Sequence, residues 1–287
     1  MKVVLCPNPY RDRGLKAARS AERILKNAGV ESVMCLPFAV EGNGVDLPKQ
    51  VELKDTRTEL KHADMLICFG GDGTILHAAK DASVCGVPIL GVNLGTMGFM
   101  AELEQSELSL LSKIAVGKYT IEPRVMIDVS VLRDGKSVFS ELAFNDAAIT
   151  KGAVARMVEL EIYGDHVQIA SFSADGVVIC TPTGSTAYSM SAGGPIVEPT
   201  AENIIVTPIC PHALSARSFV LGSERQVAVR LKRSSRRTAY LSVDGGRAFH
   251  LTGRDTVELK MSKVKTNLVR LMDRSFYQIL NQKLGRS

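Results

Sequence analysis

Gly70-Gly71-Asp72-Gly73-Thr74 is the stretch on which the reading of this chain turns. The residues before it, Met65-Leu66-Ile67-Cys68-Phe69, form a short apolar run of buried-strand type. Those after it, Ile75-Leu76-His77-Ala78-Ala79, suit a helix. A strand that enters a glycine turn and leaves as a helix sets backbone N–H groups at the helix start, where they can face an anion. Gly70, Gly71 and Gly73 let a ligand approach the backbone closely, and Thr74 completes a phosphate-type turn. An acid among those glycines repels phosphate, so Asp72 points to proton or metal work. A base toward a hydroxyl that attacks a phosphoryl group fits that position. Ordinary turn chemistry is the competing reading, because Asp-Gly makes turns and Asp caps helices. The five residues alone leave both open.

Outward from this turn, strands and helices alternate. Lys2–Cys6 reads as a first strand, stopped by Pro7-Asn8-Pro9. Leu15, Ala18, Ile24, Leu25 and Ala28 follow at helical spacing, and Gly29 closes that helix. Val33–Leu36 reads as a strand, Gly42–Pro48 as a loop, Thr58–Ala63 as a short helix and Pro88–Val92 as a further strand. A second glycine-rich loop, Asn93-Leu94-Gly95-Thr96-Met97-Gly98-Phe99, comes next. This alternation predicts a parallel sheet with helices on its faces, and ligands in such folds gather at the carboxyl ends of the strands. Asn93 and Gly95 are therefore candidate phosphate contacts, with a plain crossover loop as the alternative. Ser106–Val116 reads as a helix.

From about Arg124 to Lys265 the texture changes to strands punctuated by turns: Val125–Leu132 before Asp134-Gly135, Met157–Tyr163 before Gly164-Asp165, then Val227–Leu231, Tyr240–Val243 and Thr256–Leu259. The expected architecture is an α/β N-terminal domain with a parallel sheet and a β-rich, sandwich-like C-terminal domain. The boundaries fall at 1–122 with 266–287 for the first and 123–265 for the second. Asp273–Leu284 is helical, with Phe276, Ile279, Leu280 and Leu284 on one face, and returns to the first domain.

Composition narrows the function classes. The 287 residues are 45% hydrophobic and 23% charged, a globular balance. Thirty-five Lys and Arg against 30 Asp and Glu give +5, which suits small phosphorylated anions and does not require nucleic acid. Trp is absent and aromatic residues are 5%, little material for base-stacking platforms. Cys6, Cys35, Cys68, Cys85, Cys180 and Cys210 are scattered without a CxxC pair, which argues for reduced thiols in a cytoplasmic protein and against a zinc site. The first residues carry too short an apolar run for a signal peptide, and no stretch is long enough to span a membrane.

The second half holds its own constellation. Asp175-Gly176-Val177-Val178-Ile179-Cys180 runs as a buried strand into Thr181-Pro182-Thr183-Gly184-Ser185-Thr186-Ala187-Tyr188. Four hydroxyls between Thr181 and Thr186 exceed what one helix cap needs, so Ser185, Thr186 and the Tyr188 phenol are candidate neutral donors to ribose, amide or phosphate oxygens. Ser191 and Gly193-Gly194-Pro195 follow as a further candidate wall of the site. Asn145-Asp146, at the end of Phe139–Phe144, can grip ribose hydroxyls or form an Asx turn. Asp244-Gly245-Gly246 has the composition of a hairpin turn. The basic run Arg230, Lys232, Arg233, Arg236 and Arg237 reads as a solvated hairpin, with a polyanion or partner contact as the alternative.

Together these stretches resemble the bacterial NAD kinase family: GGDGT at Gly70–Thr74, NLGTMGF at Asn93–Phe99, Asn145-Asp146, DGVVICTPTGSTAYSMSAGGPI at Asp175–Ile196, and PHALSAR at Pro211–Arg217. GGDG alone also occurs in lipid kinases; the long Thr181–Pro195 segment is far more specific. The resemblance implies transfer of the γ-phosphoryl group of ATP to the 2′-hydroxyl of the adenosine ribose of NAD. It implies Asp72 as base and Gly71 and Gly73 in the phosphate loop. It places Asn145 and Asp146 at the ribose and diphosphate region, and Asp175, Thr186, Ala187, Tyr188 and Ser191 at adenine and nicotinamide, with Asp244 beside them. Homodimers or homotetramers are implied as well. Many members carry Asn-Glu where this chain has Asn145-Asp146, and some carry Arg where it has Ser173. With no Walker A lysine and no dedicated metal cluster in the sequence, Mg²⁺ is expected to arrive on the ATP.

Overall fold

A computed structural model of the chain describes residues 1–38, 45, 47–48, 51–95, 98–152, 156–213, 216–232 and 238–285. Most of the Gly42–Pro48 loop lies outside the described residues. So do Thr96 and Met97 of the second glycine loop, Leu214 and Ser215, and Arg233, Arg236 and Arg237 of the basic run. The chain divides into two units, Met1–Pro123 with Thr266–Ser287, and Arg124–Lys265.

The first unit is α/β. Its elements are β1 (Lys2–Pro7), α1 (Lys16–Asn27), β2 (Glu31–Cys35), β3 (Leu53–Lys54), α2 (Thr56–Leu60), β4 (Met65–Gly70), α3 (Asp72–Val84), β5 (Ile89–Asn93), β6 (Leu103–Glu104) and α4 (Ser112–Ala115). The strands are parallel in the order β3-β2-β1-β4-β5. Every residue of β4 and β5 is buried, as expected of parallel strands covered on both faces. Val3, Leu5, Ile67, Phe69 and Leu90 pack with Ala21 and Leu25 of α1 in one core. The chain proceeds from β1 to β2 and β3 on one side, then places β4 and β5 on the other. The order therefore reverses between β1 and β4, and the carboxyl ends of those two strands bound the crevice where such sheets bind ligands.

The stretch expected as one α-helix over Ser106–Val116 is instead a 3₁₀-helix, Gln105–Leu111, followed by the single turn of α4. Its buried residues Leu108, Leu111 and Ile114 recur every third position, the period that a 3₁₀-helix stacks on one face.

The second unit contains most of β7 (Thr120–Arg133), then β8 (Lys136–Ala143), β9 (Asp146–Lys151), β10 (Val158–Gly164), β11 (Val167–Ala174), β12 (Gly176–Cys180), α5 (Tyr188–Ser191), β13 (Asn203–Ile209), β14 (Phe219–Gly222), β15 (Gln226–Leu231), β16 (Ala239–Val243), β17 (Phe249–Leu251) and most of β18 (Asp255–Arg270). One antiparallel sheet runs β14-β13-β12-β9-β16-β17, and the other contains β11-β10-β15-β18 with β7 and β8 beyond β18. Val177, Ile179, Ile149 and Leu241 of the first sheet share a core with Leu160, Val229 and Leu259 of the second, as in a sandwich. Asp134-Gly135 and Asp165-His166 close their hairpins with positive φ at both central residues, the turn type that matches strand twist. The second turn sits one residue later than the Gly164-Asp165 expected, so His166 takes the left-handed position. The last helix, α6 (Phe276–Leu284), is capped by Ser275 and Gln278 and packs within the α/β unit, where the Phe276 and Phe99 ring centroids are 6.3 Å apart.

Candidate active site

Gly71 is the N-cap of α3 and Asp72 its first residue, so the glycine turn lies at a helix start at the carboxyl end of β4. Asp72 does not cap its own helix. Its carboxylate reaches the second glycine loop, where Oδ2 accepts from the Phe99 N–H at 2.7 Å and Oδ1 from the Met100 N–H at 3.1 Å. Gly98 makes this possible, because a Cβ there would overlap the Asp72 carboxylate. The two glycine loops are thus fastened to each other through the acid that singled out the first. Gly70 and Thr74 are buried, and the Thr74 hydroxyl accepts from Asn8 Nδ2 at 3.1 Å; Gly73 is exposed. Asn93 is engaged locally, its Nδ2 3.1 Å from both Glu104 carboxylate oxygens and its Oδ1 3.3 Å from the Gly95 N–H.

The segment 98–102 is anchored by the returning C-terminal residues. Glu102 is 4% exposed and accepts from the Leu271 and Met272 N–H groups, both at 2.8 Å, and from Arg270 at 3.2 Å. Arg270 also donates to the Met100 carbonyl at 3.3 Å and pairs with Glu122 at 2.8 Å. The Lys283 ammonium lies 4.1 Å from the centroid of the Phe99 ring. Beside this segment a cavity of about 330 Å³ is lined by Gly98, Glu102, Glu104, Arg274 and Gln278 among others. Nothing in residue spacing pairs Glu102 with residues some 170 positions away, and sequence reasoning missed this anchor, as it missed Asn8.

In the β unit, Asn145, Asp146 and Asp244 converge. Asp244 sits at positive φ in the turn that its Asp-Gly composition predicts. Its carboxylate does more than turn the chain, accepting from the Phe144 and Asn145 N–H groups at 2.7 Å each and from the Asp146 N–H at 3.0 Å. Asp244 therefore holds the Asn145-Asp146 corner in place. The Asn145 Oδ1 is buried without a hydrogen-bond partner. Burial, with the Asp244 charge beside it, pushes the Asp146 carboxyl up to about 7. Gly184 packs against this corner so closely that a Cβ would overlap the Asn145 carbonyl.

The hydroxyl-rich stretch departs from its sequence reading. It forms a 3₁₀ turn, Thr183–Thr186, and the one-turn helix α5, too short to present a helix start to a ligand. Thr181 Oγ1 donates to the Phe144 carbonyl at 2.6 Å, and Thr183 Oγ1 accepts from the buried Arg124 at 3.2 Å. Ser185 Oγ accepts from the Val197 N–H at 3.0 Å, and Thr186 Oγ1 donates to the Thr183 carbonyl at 3.2 Å. An irregular buried loop leaves backbone groups without ladder partners, and these hydroxyls bond to groups within the unit. Tyr188, 40% exposed, and Ser191 face outward. Asp175 is ion-paired with Lys151 at 2.5 Å.

A glycine turn between strand and helix, set where the strand order of a parallel sheet reverses, is the arrangement of nucleotide- and phosphate-binding α/β proteins. The ATP-NAD kinase N-terminal domain family matches residues 3–119, and the ATP-NAD kinase C-terminal domain family matches residues 144–271. The NAD kinase of Acetivibrio thermocellus is 35% identical over 285 residues, 99% of this chain and 97% of that protein. The NAD kinase of Symbiobacterium thermophilum is 46% identical over 223 residues, 77% of this chain and 78% of that protein. Among solved structures, a yeast NADH kinase complexed with NADH superposes with a TM-score of 0.84 at 26% identity, covering 99% of this chain and 87% of that one. An NAD kinase from Archaeoglobus fulgidus in complex with ATP gives 0.77 at 25% identity, covering both chains fully. The chain belongs to the NAD kinase family.

Proposed function

We propose that this chain transfers the γ-phosphoryl group of ATP to the 2′-hydroxyl of the adenosine ribose of NAD, giving NADP. The observation that carries this is the setting of Asp72, an acid at the start of α3 whose two oxygens are aimed by the N–H groups of Phe99 and Met100. A carboxylate offers about four lone-pair positions. Two are used here, so Asp72 keeps room to accept the proton of a ribose hydroxyl. The loose transition state of phosphoryl transfer asks more for an oriented nucleophile than for a strong base. The backbone of Gly71 and Gly73 steadies the phosphates, and Gly70, Thr74, Asn93 and Gly95 shape the loops around them.

Within the β unit, the unpartnered Oδ1 of Asn145 is suited to a ribose hydroxyl donor, and Asp146 to a second. Asp175, Thr186, Ala187, Tyr188 and Ser191 contribute to the adenine and nicotinamide ends, and Asp244 acts by positioning Asn145 and Asp146. Mg²⁺ would arrive with the ATP substrate, held through its phosphate oxygens, where it would offset the charge of the transferring group. The enzyme works in the cytoplasm as a homodimer or homotetramer; among the described residues no helix is long and apolar enough to cross a membrane.

The test is a coupled assay in which an NADP-specific dehydrogenase scores product from NAD with ATP, other triphosphates and polyphosphate side by side. NADP formation with ATP is expected. Tight NAD binding with no ATP consumption would contradict the proposal and identify a non-catalytic binder.

A further inference from the structure

Three ring-bearing side chains gather at the rim of the α/β sheet beside the glycine turn, although aromatic residues are only 5% of the chain. Tyr10 follows β1, Phe38 follows β2, and His77 lies on α3 five residues beyond Asp72. The Tyr10 and Phe38 rings are near-parallel, with centroids 6.1 Å apart and planes at 18°. His77 meets Phe38 edge-on at 5.5 Å. Tyr10 is 48% exposed, and His77 is exposed as well. A rim that only completed a core would bury such rings.

The cluster is tied to the glycine turn by one side chain. Asn8 Oδ1 accepts from the Tyr10 N–H at 3.1 Å, while Asn8 Nδ2 donates to the Thr74 hydroxyl at 3.1 Å. Five residues of α-helix separate His77 from Asp72, roughly 7.5 Å along the axis. The exposed Arg11 stands on the same rim, its Nη1 4.0 Å from where a Cβ on Gly95 would be, so a cation borders the second glycine loop. Planar π faces, a cation and a phosphate-type turn in that sequence match a purine nucleoside triphosphate from base to γ-phosphate.

We propose that Tyr10, Phe38 and His77 form the platform for the purine base of the phosphoryl donor, with Arg11 facing its phosphates. The assignment rests on the kinase reading above. The residues expected at the acceptor's adenine and nicotinamide ends all belong to the β unit, which leaves this rim to the donor. The platform makes the enzyme selective for a nucleoside triphosphate over a bare polyphosphate chain, which has nothing to stack.

The experiment is steady-state NADP formation by the full chain and by Tyr10→Ala, Phe38→Ala and Tyr10→Phe. ATP is the varied donor, and inorganic tripolyphosphate is measured as donor or as competitor of ATP. Each alanine variant is expected to raise KM for ATP about five- to a hundredfold. KM for NAD and the tripolyphosphate constant should stay at their wild-type values, and Tyr10→Phe should behave as wild type. The unchanged KM for NAD also reports that the variants are folded. Wild-type KM for ATP in both alanine variants would overturn the platform. No NADP from ATP and NAD with the unaltered chain would instead overturn the kinase reading beneath it.

Discussion

Asp72, Gly98, Asp146 and Asp244 show how single residues shape the candidate site. Gly98 leaves room for the Asp72 carboxylate, so Gly98→Ala should push that acid out of register with the Phe99 and Met100 N–H groups. Turnover should fall about a hundredfold with little change in NAD affinity, read as a split between kcat and KM for NAD. Asp146 carries a pH signature. Its folded pKa of about 7 stands above the ordinary carboxylate value of 3.8. The folded state therefore holds a proton that the unfolded state has released, and stability should fall as pH rises across that window, by roughly 1.4 kcal/mol per unit. Asp146→Asn should flatten this slope in urea titrations between those pH values, and should remove an inflection near 7 in the pH dependence of KM for NAD. The sequence placed Asp244 near the site but concealed its task, because an Asp-Gly turn looks the same whether its carboxylate faces water or three backbone N–H groups.

At the scale of elements, the α/β unit was legible wherever hydrophobic period and turn chemistry agreed. The β4–turn–α3 unit reads directly from an apolar run, three glycines and a helical continuation. The 3₁₀-helix over Gln105–Leu111 did not, since leucines that suit an α-helix also suit a tighter one. The hydroxyls of Thr181 to Thr186 were legible as unusual but not as internally bonded, because their partners at Phe144, Arg124 and Val197 are fixed only by the fold. The segment 98–102 depends on Glu102, and Glu102→Ala would strip Arg270 and the Leu271 and Met272 N–H groups of a buried partner. A loss of roughly 3 kcal/mol is expected from denaturant unfolding. Glu102→Gln, which keeps an acceptor, should lose less.

Across the whole molecule, the alternation of strands and helices followed by a strand-rich half was enough to read the two architectures, and the two family matches agree with them; the C-terminal helix falls in the first unit. The six cysteines are free, with four buried and Cys85 and Cys210 exposed. Burial raises the Cys35 thiol to about 11 and the Cys68 and Cys180 thiols to about 12. A thiol reagent should therefore titrate two groups in the native protein and six after denaturation, and reductant should leave the melting temperature unchanged. More than two reactive thiols in the native state would contradict the burial of the others.

If Asp72 takes the proton of the ribose hydroxyl while its neighbours hold it in place, Asp72→Asn is the decisive variant. Single-turnover phosphorylation of NAD with saturating ATP should slow by about 10²- to 10⁴-fold, while NAD binding measured by calorimetry stays close to wild type. Near-wild-type single-turnover rates in that variant, with NAD binding intact, would remove Asp72 from the chemistry and leave it only the task of joining the two glycine loops.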